Sequence, residues 1–283
     1  MSGRLISQAE VIALATDGSS CTDGAVQEAI FLAQSCGSKL VVLNIIPIES
    51  ESESAMAAYV SVDPASEEIK AYLEDIRKMA KDNGIECELV LEESYQPDKT
   101  IVELARQHHA DLLIMGRHGR RGLLKLLVGS MTAKVIGHGF PRVLVVPQQS
   151  TASGERILVA VDGSEASEMA VEEAIGMGKH CSTLKEICFV SVATAEKLDQ
   201  AKELTEAACR RGAAQVAHAA FHPLALLGKH APDVIAATAL ERNVDMILVG
   251  GHGKGLSKLL MGHVTEKVIG KAHCPVLVVE KRA

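Results

Sequence analysis

The chain has 283 residues, enough for two domains of ordinary size, each with its own core. A formal charge of −7 and an aromatic content of only 2%, with no tryptophan, argue against a nucleic-acid partner, which usually needs a basic face and stacking platforms. No stretch approaches the roughly 20 apolar residues of a membrane span, no signal peptide is evident, and seven scattered cysteines do not form a disulfide framework, so we expect a cytoplasmic protein without a membrane partner.

The first half of the chain alternates strand-like and helix-like segments. Apolar runs typical of buried parallel strands occupy residues 10–16, 40–46, 87–91, 112–115 and 143–146. Helical spacing, with glycine or Asp-Pro signals at the ends, covers residues 22–36, 63–83 and 97–108. Between the second strand and the next helix, the acidic segment 49–61 is expected to be a mobile loop over the strand ends or a solvated linker.

One stretch combines a strand, a glycine-spaced loop and the start of a helix. The apolar run ending at Met115 leads into Gly116 and Gly119, and after nine more residues Gly129 and Ser130 open a short helical pattern. Glycine lets main-chain N–H groups approach an anion, and a helix N-terminus adds unpaired donors and a positive dipole end. The loop is a candidate phosphate site, although a glycine after a parallel strand is often only a turn. It is not a Walker A loop, because no Lys-Ser or Lys-Thr follows a glycine at the required spacing.

The same pattern returns in the second half, so the chain is a tandem repeat. Gly250, Gly253 and Gly262 take the places of the three glycines above. Asp162 likewise ends an apolar run, as Asp17 does in the first half. The repeat predicts two domains, at residues 1–148 and 155–283, joined by a polar linker.

Strands alternating with helices predict an α/β doubly wound parallel sheet in each half. In such sheets ligands bind beyond the carboxyl ends of the strands, where the strand order reverses. If the first and fourth strands are neighbours, Asp17 and Gly116 flank one crevice.

These residues resemble a known family. The segment ATDGS at 15–19, with G-x-x-G, nine residues and then G-S at 116–130, resembles the universal stress protein family, and the repeat resembles its tandem members. The resemblance implies a five-stranded parallel sheet in each half, Rossmann-like and similar to the adenine nucleotide alpha-hydrolases. It also implies a stress-response role with ATP, AMP or ADP in the crevice, and Mg²⁺ accompanying a triphosphate.

The resemblance assigns roles to individual residues. It implies that Asp17 faces the ribose or adenine and that Ile45, after the second strand, walls the base; Asp17 is also placed to cap the following helix. The other positions implied for the nucleotide, at the strand end and in the loop, are Met115, Gly116, Gly119, Gly129 and Ser130. Independently of the resemblance, the loop arginines Arg117, Arg120 and Arg121 could steer phosphate, but arginines on an exposed loop are usually solvated and we expect that here.

The second half departs from the first. Eight residues, not nine, separate Gly253 from Gly262, and His263 replaces Ser130. We expect the deletion to turn the following N–H groups away and the site to be impaired, retained for pairing with the first half. The predicted strand 187–192 runs almost directly into a helix over 196–211, and the strand after Val216 can be placed only loosely ahead of a helix over 233–242. Histidines are frequent here, but no spacing matches a zinc pattern, so we predict no metal site.

The sequence predicts an ATP-binding regulatory or protective protein with little turnover. Near the loop it has no general base pair, Walker B carboxylate or G-x-S-x-G elbow. Two alternatives stay open: a slow ATPase or nucleotidyl-transferring enzyme in which Asp17 and Ser130 hold a metal-bound triphosphate, and an interaction module without a ligand. We also expect the last strands, 143–146 and 276–279, to pair within the chain about a pseudo-twofold axis, and a homodimer is a further option.

Overall fold

A computed structural model describes residues 6–48, 64–118, 128–149, 154–251 and 261–281. The acidic segment 49–61 lies outside the described residues, as do Gly119 and Gly253. No helix within the described ranges is both long and apolar enough to cross a membrane.

The first half has its strands and helices where the sequence predicts them, with ends that differ by a few residues. Its strands are β1 (Val11–Ala15), β2 (Lys39–Pro47), β3 (Cys87–Ser94), β4 (Leu112–Gly116) and β5 (Arg142–Val146). Its α-helices are α1 (Asp23–Cys36), α2 (Pro64–Asp82), α3 (Pro97–Gln107) and α4 (Ser130–Gly137). Short 3₁₀ helices, η1 (Ile6–Gln8) and η2 (Ser20–Thr22), precede β1 and α1. The predicted stop of α1 is confirmed, because Gly37 caps it in the left-handed region with φ 67°.

The second half repeats this order. Its strands are β6 (Arg156–Ala160), β7 (Glu186–Ala193), β8 (Ala220–Leu227), β9 (Met246–Gly250) and β10 (Val276–Val279). Its helices are α5 (Glu165–His180), the 3₁₀ helix η3 (Ala195–Lys197), α6 (Leu198–Ala213), α7 (Ala231–Glu241) and α8 (His263–Lys271). The short step from β7 to α6 agrees with the sequence.

All ten strands form one sheet, in the order β3-β2-β1-β4-β5-β10-β9-β6-β7-β8. Within each half every pairing is parallel. β1 lies between β2 and β4, so the strand order reverses between β1 and β4 and the predicted neighbours are confirmed. Each half is a doubly wound α/β domain.

The two halves meet where β5 and β10 pair antiparallel. Val145 lies opposite Val276 and Val143 opposite Val278. This pairing, called the seam below, confirms the prediction that the last strands of the two halves associate. It leaves β3 and β8 as the two edges of the sheet.

Helices cover both faces of the sheet, which explains why its central strands read as continuous apolar runs. One face packs against α1, α2, α5 and α6, and the other against α3, α4, α7 and α8. Alternate residues of each strand serve the two faces: Leu14 of β1 lies in the first core, and Ala13 and Ala15 lie in the second.

The loosely placed strand of the second half is β8, at the sheet edge. It contains Pro223, which has no N–H to donate, and an edge strand tolerates this because one side of its ladder is unpaired. The strand is hard to recognise in the sequence because the segment contains a proline and mixes small residues with histidine.

Candidate functional site

The turn after β1 places Asp17 at the carboxyl end of the sheet. Asp17 Oδ1 accepts hydrogen bonds from the Ser19 N–H at 3.0 Å and the Ser19 hydroxyl at 2.6 Å. Gly18 between them has φ +74°, a left-handed conformation that favours glycine. The N-cap residue of α1 is Thr22, not Asp17, so the alternative role of Asp17 as a helix cap is not observed. The aspartate shapes the turn that precedes the helix.

The end of β2 is fixed beside this turn. The Thr16 N–H donates to the Leu43 carbonyl at 3.0 Å, and the Asn44 side-chain amide donates to the Thr16 carbonyl at 2.9 Å. Ile45 follows and is half-buried, on the same face of the sheet as Met115. Strand β2, the neighbour of β1, therefore offers an apolar surface near the crevice between β1 and β4.

Two hydrogen bonds fasten the start of α4 to the end of β4, and a third ties the end of β4 to β5. The Thr132 hydroxyl donates to the Gly116 carbonyl at 3.0 Å, and the Gly129 N–H donates to the Arg117 carbonyl at 2.8 Å. The Arg117 N–H in turn donates to the Val146 carbonyl at 2.9 Å. The helix N-terminus is thus held against the carboxyl ends of β4 and β5. Thr132 is a structural contributor that the sequence analysis missed.

The site offers donors suited to an anion. The first N–H groups of a helix have no partner within the helix and carry its positive dipole end. Ser130, the first residue of α4, is exposed, and its hydroxyl makes no hydrogen bond to any described residue. His118 Nε2 is buried and has no hydrogen-bond partner among the described residues, and the sequence analysis did not single it out.

Little space is left for a side chain at Gly116. A Cβ at this position would lie 3.1 Å from Thr22 Cγ2, 3.2 Å from the His118 carbonyl oxygen and 3.3 Å from the Cys21 carbonyl oxygen. Each distance is shorter than ordinary contact, and two of the neighbours are backbone atoms. A side chain here would push against the turn after β1 or the loop after β4.

The structure brings most of the predicted residues to one edge of the sheet. The ends of β1 and β4 and the start of α4 carry Asp17, Met115, Gly116, Gly129 and Ser130. Ile45 lies one strand away, and Gly119 lies outside the described residues.

The second half preserves this geometry. Ser164 N–H donates to Asp162 Oδ1 at 2.9 Å, and Thr265 Oγ1 donates to the Gly250 carbonyl at 2.7 Å. Gly262, before α8, has φ −61° and ψ 136°, against −58° and 141° for Gly129. The expectation that the deleted residue redirects the helix start is therefore wrong. The hydrogen bonds that flank the loop hold α8 in the same orientation as α4.

The difference between the halves is one of charge and chemistry at the loop rim. Gly251 stands where Arg117 stands in the first half. The Glu280 carboxylate packs so closely on Gly251 that any Cβ there would collide with it. His263 also replaces Ser130, so the start of α8 lacks the hydroxyl with which α4 begins.

Arg117 joins the first loop to the second half. Its Nη1 donates to the Ala272 carbonyl at 2.8 Å and to the Ile269 and Gly270 carbonyls at 3.4 Å, all at the C-terminal end of α8. A cation here satisfies carbonyls that a helix end leaves unpaired. Burial lowers the pKa of Arg117. The expectation that this arginine is solvated is wrong, and Gly251 cannot make the reciprocal contact.

The Arg117→Ala substitution should lower the free energy of unfolding by about 2–3 kcal/mol, because it removes charge-assisted hydrogen bonds to carbonyls that stay buried. Urea unfolding at pH 7 measures the change. Arg117→Lys is the matched control and should recover part of the loss, since lysine keeps the charge but not the planar fork. Identical unfolding midpoints for the alanine variant and the wild type would contradict this role.

The cysteines and histidines do not form a metal centre in the described part of the chain. Within those ranges no group of three or more His, Cys, Asp or Glu side chains is placed to hold a metal ion. Cys274, next to His273, is buried, and burial raises the pKa of its thiol to about 12. Its surroundings suit a core residue.

Comparison with known proteins gives a consistent result. A model of the universal stress protein family matches residues 9–147 and 154–280. A universal stress protein of Methanocaldococcus jannaschii is 30% identical over 138 residues, covering 48% of this chain and 80% of that protein. One from Synechocystis is 24% identical over 291 residues, covering 94% of this chain and 98% of that protein. The crystal structure of a universal stress protein from Archaeoglobus fulgidus matches with a TM-score of 0.75 at 22% identity, covering 97% of this chain and 100% of that chain, a likeness of fold.

Proposed function

The chain belongs to the universal stress protein family, and from that premise we propose that its first half binds an adenine nucleotide as a regulatory ligand. ATP is the proposed ligand, with ADP or AMP as its shorter forms and Mg²⁺ accompanying the triphosphate. The nucleotide is bound and not turned over. Its site is the crevice between the ends of β1 and β4.

One observation carries the proposal. The start of α4 is fastened to the end of β4 by the Thr132–Gly116 and Gly129–Arg117 hydrogen bonds, beside the turn that holds Asp17. This arrangement presents the first N–H groups of α4 and the Ser130 hydroxyl at a strand-order reversal, where nucleotides bind in doubly wound sheets. Donors of this kind suit phosphate oxygens.

The base and ribose have chemically suitable neighbours. Ile45 of β2 supplies an apolar surface, and the Asp17 carboxylate can accept a hydrogen bond from a ribose hydroxyl. Asp17 Oδ1 already accepts two hydrogen bonds from Ser19, so the ribose hydroxyl would meet a carboxylate whose orientation is set in advance. We propose that the ligand lies along the carboxyl edge of the sheet, with its base near β2 and its phosphates at the start of α4.

Binding without turnover makes the protein a switch. A ligand that favours one arrangement of the loops shifts their population by its difference in affinity for the two states. Arg117 lies on the phosphate loop and holds the end of α8, so a change of the loop reaches the second half directly. Partner proteins that recognise the ordered state would then bind in proportion to nucleotide occupancy.

The proposal is tested by heating the purified chain and identifying released nucleotide by mass spectrometry, followed by calorimetry with ATP, ADP and AMP, each with and without Mg²⁺. We expect an adenine nucleotide to be released or to bind. ATP turnover at enzyme-like rates would favour the enzyme alternative. If none of the three nucleotides binds, the remaining hypothesis is an interaction module without a ligand.

The second half should bind ATP at least roughly tenfold more weakly than the first. Loss of one hydrogen bond to a charged group, through His263 in place of Ser130, costs about 1.5–3 kcal/mol, and tenfold corresponds to about 1.4 kcal/mol. Nucleotide stoichiometry on the intact chain at pH 7 should therefore be one per chain at concentrations that saturate the first site.

Two variants assign this stoichiometry to a half. Ser130→Ala should weaken the strong site, whereas His263→Ala should leave it unchanged. Two equivalent sites per chain in the wild type would show that the second half is not impaired.

A further inference from the structure

Two buried glutamates occupy equivalent places in the two halves. Glu28 stands eleven residues after Asp17 on α1, and Glu173 stands eleven residues after Asp162 on α5. Glu28 is 3% exposed and Glu173 is 1% exposed. A carboxylate in the interior needs a cation or hydrogen bonds, so the partners of each side chain decide what it does there.

Glu173 is fully partnered by the opposite half. Its Oε2 accepts from Arg142 Nε at 2.6 Å, and its Oε1 accepts from the Ile6 N–H at 2.5 Å. Arg142 opens β5 and Ile6 lies in η1, both in the first half. The carboxylate therefore ties α5 to the first half next to the seam.

Glu28 lacks the corresponding partner. Arg142 directly precedes Val143 of β5, and the residue that directly precedes Val276 of β10 is Pro275. Proline carries no cation and no donor. Glu28 Oε1 is buried and has no hydrogen-bond partner among the described residues. The first half therefore has the buried carboxylate, but the position equivalent to Arg142 does not supply a cation for it.

The electrostatic surroundings of Glu28 oppose its ionisation. Helix α1 packs against β1, β2, β4, β5, η2 and α2, and among the described residues the charged group that acts on Glu28 is Asp245, just before β9 of the second half. Burial, and secondly the Asp245 carboxylate, raise the pKa of Glu28 to about 7. Ionised Glu28 and Asp245 are like charges that belong to different halves.

We propose that Glu28 makes the seam sensitive to pH, tight when its carboxyl group is protonated and loosened when it ionises. In an opened seam Glu28 is hydrated and titrates near its ordinary pKa of 4.5. Between that pH and about 7 the closed seam holds one more proton than the open one, so its stability falls as pH rises. Below this window the full stability is present, and above it the loss is complete.

Hydrogen exchange with mass spectrometry tests the proposal on the full chain. Peptides that contain β5 and β10 report opening of the seam, and peptides that contain β2 and β7 report the interiors of the halves. After correction for intrinsic exchange rates, the opening constant of the seam peptides should rise by up to about tenfold per pH unit from pH 5 to 7, the limit for one proton. The β2 and β7 peptides should change less.

The Glu28→Gln substitution should abolish most of the rise of the seam opening constant with pH, because glutamine has nearly the shape of protonated glutamate and cannot ionise. Glu173→Gln is the matched control: it breaks the ion pair with Arg142 and should weaken the seam at every pH. Burial also raises the pKa of Glu173, so this variant removes any share of the rise that Glu173 contributes and leaves the share of Glu28. Since the remaining titratable groups are the same in both variants as in the wild type, the comparison isolates Glu28.

A third variant restores the missing partner. Pro275→Arg places a cation where Arg142 stands in the other half and should protect the seam at pH 8 more than at pH 5, relative to the wild type. The proposal is overturned if Glu28→Gln retains the wild-type rise. It is also overturned if the wild-type rise is equal in the seam, β2 and β7 peptides, since the opening would then not be local.

Discussion

The Val145→Asp substitution should remove most of the stability of the chain, so that it accumulates as insoluble protein or melts far below the wild type. Val145 is 1% exposed and lies opposite Val276 in the seam, at the centre of a ten-stranded sheet with helices on both faces. An unpaired carboxylate buried there costs several kcal/mol out of a total stability of about 5–15 kcal/mol. Expression in the soluble fraction and thermal melting measure the effect.

Two controls separate the seam from a general intolerance of charge. Leu91→Asp places the same charge on β3, at the edge of the sheet where Leu91 is 37% exposed, and should change the melting temperature little. Val145→Ile keeps the apolar character of the seam and should cost about 1–3 kcal/mol through overpacking. Equal melting temperatures for Val145→Asp and wild type would contradict the seam as the structural centre of the molecule.

The pairing of the halves follows from the sequence because it depends on patterns that a strand carries within itself. Apolar runs on both faces identify buried parallel strands, and the repeat shows that each half ends with one. An apolar last strand needs a neighbour on its outer side, and a second copy of the same strand is the neighbour that the chain already contains. The β5–β10 register agrees with this reasoning.

Contacts between the halves could not be predicted in the same way. Arg117 reads as a solvated loop residue because nothing in its own segment shows that the end of α8 lies within reach. Glu28 reads as one polar position on an amphipathic helix, and only the comparison with Glu173 and Arg142 shows that a partner is missing. Such features depend on residues far apart in the chain, which local periodicity does not connect.

The effect of the deletion in the second loop was misjudged for a related reason. A shorter loop seems to rotate the helix that follows, but the Thr265–Gly250 and Gly262–Gly251 hydrogen bonds fix the start of α8 on both sides. Impairment of the second half stays a prediction, and its reason is now the replacement of Ser130 by His263 and not the direction of the backbone.

The Gly116→Val substitution should weaken ATP binding by roughly a hundredfold or more, about 2.7 kcal/mol, while the chain still folds. Its Cβ would lie 3.1–3.3 Å from Thr22 and from the carbonyls of Cys21 and His118, so we expect the side chain to push against the turn after β1 or the chain that follows β4. Calorimetry with ATP measures the loss, and circular dichroism and thermal melting show whether the fold is kept.

Two further glycines make the result specific to the site. Gly129→Val should also weaken binding, because a side chain at the N-cap of α4 crowds the anion; its φ of −58° suits any residue, so backbone strain is not the cause. Gly250→Ala should instead lower the melting temperature and keep ATP affinity, since its Cβ would lie 2.7–2.9 Å from Ala166 and the Ser167 nitrogen in the second half. If Gly116→Val and Gly129→Val bind ATP as the wild type does, the nucleotide does not bind at this loop. If only Gly250→Ala loses affinity, the strong site lies in the second half.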